Sequence, residues 1–410
     1  MTRQIKSQDC RKLLGKAMKK NLINKLLQPE VQKFIEKHKN YSAPEIILKY
    51  SFDKNFPIKE IAEQIECLGK ADKKLPALSK HKILYKKIPL EQCSSELTAN
   101  YKSHKMKGQK IIDLTGGLGI DAIYFSKNFN EVIYCELNEE LAEIAEHNFK
   151  ILGIKNISVK KGDGLKLLKE FENNYFDWIY VDPSRRDKDK RSVDIKYYSP
   201  DVVESMSMFL SKAKNICFKL APAFDIKEAE RNFPNMNEFS VVSVKNECKE
   251  VLIFFNKKNE KRIKSAVILN EENQSEVFES EIENNCEVEF SFPREEMFFY
   301  EPDAAIRKVG LTKLIAGKYN LKSINPLSEY LVSENEIENF PGRKFKILFT
   351  GFYNEKKIKQ FLSEKKISKA NIARSNFPRK PEIIKEKLKL KDGGDYYLFF
   401  TKDKNDKLIY

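Results

Sequence analysis

The sequence predicts an α/β chain: a doubly wound, mostly parallel sheet of seven strands, with a helical region before it and a small α+β unit after it. Three observations carry this. Strand-like and helix-like segments alternate from Gln109 to about residue 257. A turn with three glycines, in "DLTGGLG", follows the first of those strands. The flanks have other rhythms: residues 1–105 place apolar residues three and four apart, and residues 336–410 read β-α-β-α-β.

Composition bounds the function classes. The chain has 410 residues, 41% of them hydrophobic, enough for two or three packed domains and too apolar for a disordered chain. No stretch approaches the ~20 apolar residues of a membrane span. The charged start "MTRQIKSQDCRKLLGKAMKKN" does not read as a signal peptide. Seven scattered cysteines, none in a C-x-x-C pair, read as reduced thiols of a cytoplasmic protein, and with four scattered histidines they suggest no metal site. Net charge is +15, and residues 341–391 hold 16 Lys+Arg against 4 Asp+Glu. Such a module reads as a binder of phosphate backbones. The plainer alternative is a Lys-rich face that keeps the protein soluble.

Within 1–105, "DCRKLLGKAMKKNLINKLL", "PEVQKFIEKH" and "PIKEIAEQIECLGKADKKL" are helical in period. Pro57 suits a first turn, and Pro76 and Pro89 break the helical pattern between residues 75 and 105. The segments "KIIDL", "EVIYCEL", "ISVKK", "FDWIYVD" and "NICFKLA" are strands separated by helices. "FSVVSVKN" and "KEVLIFFNKK" close the domain as a hairpin with a reversed last strand, which gives bounds of 106–257. Residues 258–335 mix the strands "KSAVILN", "EVEFSF" and "EMFFYEP" with the helix "DAAIRKVGLTKLIAGKYN".

The glycine turn suggests a ligand. Its spacing, Gly116-Gly117-x-Gly119, is not that of a dinucleotide loop. Asp113 stands three residues before the first glycine. A carboxylate there repels pyrophosphate but attracts a cationic amino-acid head or a sulfonium. Glu136 ends the second strand, where a carboxylate can accept both hydroxyls of a ribose. Asp163, in "KKGDG" after the third strand, can accept from an adenine amine.

In that order and spacing, "DLTGGLGID", "CELN", "GDG" and "DWIYVDPSRRD" resemble the motifs of class I S-adenosylmethionine (SAM) methyltransferases. The resemblance implies a Rossmann-like seven-stranded methyltransferase sheet with SAM as cofactor. It places Asp113, Gly116, Gly117 and Gly119 at the methionine part, Glu136 at the ribose and Asp163 at the adenine, with Thr115 and Leu137 as further cofactor contacts. The flanks "KLP", "LEQCSSELTANYK", "FKLAPAFDI", "FPGRKF", "ARSNFPRK" and "KDGGDYYLF" resemble bacterial methyltransferases with a C-terminal THUMP-like domain. That resemblance implies a ferredoxin-like segment at 258–335, a THUMP-like basic domain at 336–410 and, by analogy with true THUMP domains, structured RNA as partner. In related enzymes the segment before the first strand folds over the cofactor, so Gln92 and Ser95 are candidate contacts.

"DPSRR", Asp182 to Arg186, resembles the Asp/Asn-Pro-Pro-Tyr/Phe motif of enzymes that methylate exocyclic amines. A carboxylate and a backbone carbonyl accept from the NH2 group and aim its lone pair. Asp182, Pro183 and Ser184 would do this here. Ser184 replaces a proline, and Arg185 replaces the stacking aromatic; Arg185 and Arg186 can stack or hold phosphate instead. Lys219 and Pro222 follow the fifth strand and can close the acceptor pocket. Arg343, Arg374, Arg379 and Lys380 suit RNA phosphates, with Phe377 and Tyr397 more fitted to a core than to a base platform. Cys217 suggests thiolate attack on a pyrimidine, but its apolar strand favours a core thiol.

The leading expectation is therefore a SAM-dependent methyltransferase acting on an exocyclic amine of a base in tRNA or rRNA. Two alternatives stay open: a methyltransferase of a protein or small molecule, and a non-catalytic RNA-binding protein on a SAM-binding fold. A nicotinamide dehydrogenase is disfavoured by the glycine spacing and by Asp113.

Overall fold

The computed structural model describes residues 23–53, 56–185, 195, 198–283, 286–327 and 329–410. The first expected helix lies mostly before residue 23 and so outside the described residues.

Helices at Pro29–His38, Ala43–Tyr50 and Ile58–Lys74 follow the apolar periods of the sequence. The second starts at a capping box, with Ser42 and Glu45 satisfying each other's backbone amides. These helices share a continuous core with one face of the main sheet, from Leu26 and Ile61 to Tyr134 and Phe149. Asn148 ties the two together, exchanging hydrogen bonds of 2.8 Å with both backbone groups of Leu84.

The main sheet contains β1 (Lys110–Asp113), β2 (Glu131–Glu136), β3 (Ile157–Lys161) and β4 (Phe176–Val181). A two-residue hairpin, β5 (Ser184–Arg185) with β6 (Tyr198–Ser199), stands apart from it. β7 (Ala213–Leu220), β8 (Glu238–Val244) and β9 (Glu247–Asn256) complete the seven expected strands. β9 is antiparallel to both β7 and β8 and lies between them. The strand order reverses at β1, which is flanked by β2 on one side and β4 on the other. Open α/β sheets bind ligands at the carboxyl ends of strands at such a switch point.

The sheet does not stop at residue 257. β10 (Ile263–Leu269) adds in parallel to β8, and β11 (Ser275–Glu281) adds antiparallel to β10, making nine strands. β10, the "KSAVILN" segment expected in the following unit, buries Ala266, Val267 and Leu269. Without it β8 would be an exposed edge with seven buried residues. β11 is mostly exposed and so makes a tolerable new edge.

β12 (Phe298–Pro302), β13 (Lys322–Ser323), β14 (Leu331–Ser333) and β15 (Gly342–Lys346) form a second, four-stranded sheet. β15, the segment expected to open the last unit, pairs with β12. Helix Ala304–Val309 packs this sheet against the first through buried Asp303, which accepts from Ser243 Oγ at 2.5 Å. The last unit pairs β16 (Asn371–Arg374), β17 (Tyr397–Lys402) and β18 (Leu408–Ile409), with helices Glu355–Glu364 and Pro381–Leu388. Among the described residues, no helix is long and apolar enough to cross a membrane.

Candidate active site

Asp113 ends β1 and is buried, 1% exposed. The Thr115 amide donates to its Oδ1 at 3.0 Å, which starts the turn. Burial drives the Asp113 carboxyl well above the usual carboxylate range. The Thr115 N–H opposes that rise, and the carboxylates of Asp121, Asp182 and Glu136 add to it. A buried acid ringed by acids favours a cationic ligand.

The glycines are steric requirements. A Cβ on Gly116 would sit 2.1 Å from the Tyr134 ring. Gly119 has φ +77°, and its Cβ would sit 2.6 Å from Phe149. The Gly117 amide donates to Glu136 Oε2 at 2.8 Å, and the Asn138 amide to Oε1 at 2.7 Å. Glu136 is thereby fixed at the tip of β2, and Leu137 beside it is 73% exposed. Asp163 caps helix Gly164–Lys169, accepting from the Leu165 and Lys166 amides at 2.9 and 3.3 Å through one oxygen, Oδ1. Asp113, Thr115, the three glycines, Glu136, Leu137 and Asp163 thus gather at the carboxyl ends of β1, β2 and β3.

The acceptor loop is tied to this turn. The Asp182 amide donates to Thr115 Oγ1 at 2.7 Å. The Asp182 carboxylate forms an ion pair with Lys219 near the end of β7. Burial alone would lower the Lys219 pKa, but the carboxylates of Asp182, Glu250 and Asp121 outweigh it and raise it. Pro183 is buried and Ser184 exposed. Arg185 contributes backbone to β5, and Arg186 lies outside the described residues. Pro222 is exposed in the loop after β7. Cys217 is fully buried and burial pushes its thiol far up, so it is a core residue rather than a nucleophile.

Gln92 is exposed at the end of helix Lys87–Gln92. Ser95 is half-buried at the start of the next helix. Its hydroxyl caps helix Glu96–Lys105, accepting from the Thr98 amide at 3.3 Å, because a helix start needs an oxygen there. Its neighbour Ser94 points inward and donates to Asp121 Oδ2 at 2.9 Å.

Ser94 belongs to a network that sequence reasoning missed. Lys102 is fully buried, and its Nζ donates to both Glu250 oxygens, at 2.8 and 2.9 Å, and to Ser94 Oγ at 2.8 Å. Asp121 Oδ1 lies 3.2 Å from the same ammonium as an ion-pair contact, while Oδ2 also accepts from Tyr180 OH at 2.9 Å. Burial would raise the Asp121 pKa, but Lys102, Lys219, Ser94 and Tyr180 together depress it. The network joins the pre-sheet segment, the helix after the glycine turn, β4 and β9 beneath the site. The faint sequence signal was a lysine among the apolar positions of "LTANYKSHKM" and a glutamate entering the apolar strand "EVLIFF".

Of the four basic residues expected to meet RNA, two are occupied within the protein. Arg343 pairs with buried Glu301 and lies over the Tyr397 ring, its guanidinium carbon 4.9 Å from the centroid. Arg379 pairs with Glu355 and donates to Tyr353 OH at 2.7 Å. Arg374 is exposed, with one nitrogen donating to Phe377 O at 2.6 Å, and Lys380 is exposed before helix Pro381–Leu388. Phe377 is buried and Tyr397 packs against Phe345, so both belong to the core.

Comparison with known proteins agrees with this geometry. Residues 108–290 match the family of RNA cap guanine-N2 methyltransferases, residues 298–341 a ferredoxin-like domain and residues 342–409 a THUMP domain-like family. A crystal structure from Porphyromonas gingivalis W83, described as a methyltransferase, is 29% identical over 92% of this chain and 95% of that chain, with a TM-score of 0.78. The chain is a class I SAM-dependent methyltransferase with ferredoxin-like and THUMP-like C-terminal domains. A Pyrococcus horikoshii protein described as an RNA methyltransferase is 16% identical, covering 46% of this methyltransferase and 98% of that chain, with a TM-score of 0.32. A Streptococcus mutans methyltransferase in complex with SAH is 17% identical, covering 39% and 94%, with a TM-score of 0.29. Comparison with curated proteins gives no match.

SAM is the cofactor of this methyltransferase, and the residues fit it. The turn at Gly116 and Gly119 has no room for a Cβ, and Asp113 is pushed up by its burial and by the carboxylates of Asp121, Asp182 and Glu136, a setting a sulfonium would relieve.

Proposed function

We propose that this methyltransferase modifies an exocyclic amine of a base in structured RNA, tRNA or rRNA. The observation that carries this is the link from Asp182 N to Thr115 Oγ1, which ties the acceptor loop to the cofactor turn. The match of 108–290 to guanine-N2 methyltransferases of RNA caps supports a base nitrogen as acceptor. The THUMP-like match and the basic 341–391 segment support RNA as its carrier.

In this reading Asp113, Thr115 and the glycines 116, 117 and 119 hold the methionine part of SAM, Glu136 and Leu137 the ribose, and Asp163 the adenine. Gln92 lies at the edge of that site. SAM supplies the methyl group on a sulfonium. Asp182 and the backbone of Pro183 and Ser184 accept from the acceptor amine and aim its lone pair. The amine proton becomes acidic as the N–C bond forms, and Asp182 takes it. Lys219 fixes the Asp182 carboxylate, so the acceptor meets one orientation of it. Pro222 lies in the loop on the acceptor side, and the sequence assigns Arg185 and Arg186 to acceptor binding. Arg374 and Lys380 hold RNA phosphates.

The test is nucleoside mass spectrometry of tRNA and rRNA from cells with the gene, without it, and with Asp182→Ala. Loss of one methylated nucleoside in both altered strains supports the reading and names the atom. If every nucleoside is unchanged, the RNA reading fails.

A further inference from the structure

The segment that leads into β1 is held in place by two crossed contacts. Helix Ile58–Lys74 ends at Lys74, whose ammonium donates to the carbonyls of Leu90 and Glu91, both at 2.8 Å. In return, the buried Glu96 carboxylate accepts from the Ala77 amide at 3.0 Å and from the Leu78 amide at 2.8 Å. The motifs "KLP" and "LEQCSSE" therefore meet in the fold. The carbonyls that Lys74 takes are in the last turn of helix Lys87–Gln92, where a helix leaves acceptors unpaired and favours a cation.

Between the two contacts lies the turn Gln92–Cys93–Ser94. Ser94 donates to Asp121 Oδ2 at 2.9 Å, and Asp121 stands two residues after Gly119. The turn is thus seated on the helix that follows the glycine turn. Cys93 is half-buried, and its thiol donates to Leu90 O at 3.2 Å. Burial pushes that thiol up to about 11; the Lys74 and Lys219 ammoniums oppose the rise, and Asp121 and Asp182 add to it. The turn therefore lies within electrostatic reach of Asp182 and of the lysine that holds it. Lys74 is drawn in as well: burial lowers its pKa, and the Lys219 ammonium adds to that. Its neighbour Lys73 stays exposed. A lysine gives up water only for good hydrogen bonds, and those of Lys74 go to the main chain of this one segment.

We propose that Lys74 is a positioning residue for SAM: by holding the Leu90 and Glu91 carbonyls, it sets the Gln92–Ser94 turn as a wall of the cofactor site. Lys74 acts through that turn rather than on the cofactor. The N-terminal helices thereby set cofactor affinity, whatever acceptor is methylated.

The test uses the full chain with Lys74→Met, Lys74→Arg and, as a control, Lys70→Met. Lys70 lies one turn earlier on the same helix and pairs with the Glu91 side chain at 2.5 Å, the two side chains being 41% and 48% exposed. Such exposed pairs contribute little. Calorimetry should show SAM binding about 10-fold weaker in Lys74→Met, the scale of one hydrogen bond to a charged group. Lys74→Arg should stay near wild type, since its fork can reach both carbonyls, and Lys70→Met should be unchanged. The second readout is alkylation of Cys93 by iodoacetamide, followed by peptide mass spectrometry. SAH at about ten times its Kd should slow it about tenfold in wild type. Without SAH, Lys74→Met should speed it by loosening the turn. Loss of the ammonium alone would do the opposite, because it leaves the thiol less ionised. The proposal is overturned if Lys74→Met binds SAM as tightly as wild type, or if SAH leaves Cys93 alkylation unchanged. Should Lys74→Met fail to fold, Lys74→Gln, neutral but still polar, decides by the same two readouts.

Discussion

Replacing Lys102 by Met should unfold the catalytic domain far more easily than its place on a helix suggests. The ammonium is wholly buried and faces two carboxylates, Glu250 with 2% and Asp121 with 10% of its side chain exposed. Methionine fills similar space but leaves both charges uncompensated. Removing one partner of a buried pair costs about 3–5 kcal/mol. At roughly 2–4 °C per kcal/mol for a domain of this size, the thermal midpoint should fall by roughly 6–20 °C. The assay is urea unfolding followed by fluorescence, since the single tryptophan, Trp178, lies on β4 and reports this domain. Glu250→Gln added to Lys102→Met should recover part of the loss, because Asp121 keeps Ser94 and Tyr180. The pH dependence has a definite sign. Carboxylates outweigh burial and raise the Lys102 pKa, so its stabilisation is complete below the ordinary lysine value of 10.5. It fades as pH rises through the raised value. Wild type should therefore lose stability in that alkaline window more steeply than Lys102→Met. A loss under about 1 kcal/mol in Lys102→Met would refute the argument, by showing the network is not energetically closed.

Three further outcomes concern the site itself. Asp182→Ala should lower methyl transfer by about 100-fold or more while SAM binding, read by calorimetry, changes little; comparable losses in both would mean Asp182 serves the cofactor. The affinity for SAM should rise with pH above the ordinary carboxylate range, because burial raises the Asp113 pKa and the cation prefers the ionised form. Above that raised value it should level off, and calorimetry across that range on wild type and Asp113→Asn should show the slope only in wild type. Gly116→Ala should cost about 1–3 kcal/mol by overpacking, since its Cβ would stand 2.1 Å from the buried Tyr134 ring. It should also weaken SAM binding, and a variant with normal midpoint and affinity would show that the turn can open.

The sheet and the cofactor turn were legible because each rests on local pattern. Period-two and period-3.6 runs alternate, and Asp113 and the glycines stand within one loop. The features that stayed hidden depend on partners distant in sequence. Lys102 and Glu250 are 148 residues apart and meet only when helix Glu96–Lys105 packs over β9. Ser95 and Ser94 differ by one position; the helix start takes Ser95 as its cap, so Ser94 turns inward. β10 reads as a strand from its own residues, but which sheet it joins is set by the open edge of β8. β15 likewise reads as the start of a unit, while its pairing with β12 is set by chain direction and available edges.

The arginines of the last domain change how its charge should be understood. Residues 341–391 contain 13 lysines and three arginines. Two of those arginines, Arg343 and Arg379, are bound to Glu301 and Glu355 and to aromatic rings, so they hold the domain together. Bidentate recognition of a phosphate or a base edge by those two is therefore already used internally. The outward charge is mainly lysine, a compact cation that attracts phosphate with little geometric selection. Capture and discrimination then belong to different parts of the molecule. The lysine surface supplies salt-sensitive attraction to many polyanions. Discrimination has to arise where shape is fixed, at Asp182 with its Lys219 partner. An exchange of Arg343 for Lys would accordingly act on folding before it acted on RNA affinity, because one nitrogen cannot replace the guanidinium that spans Glu301 and Tyr397.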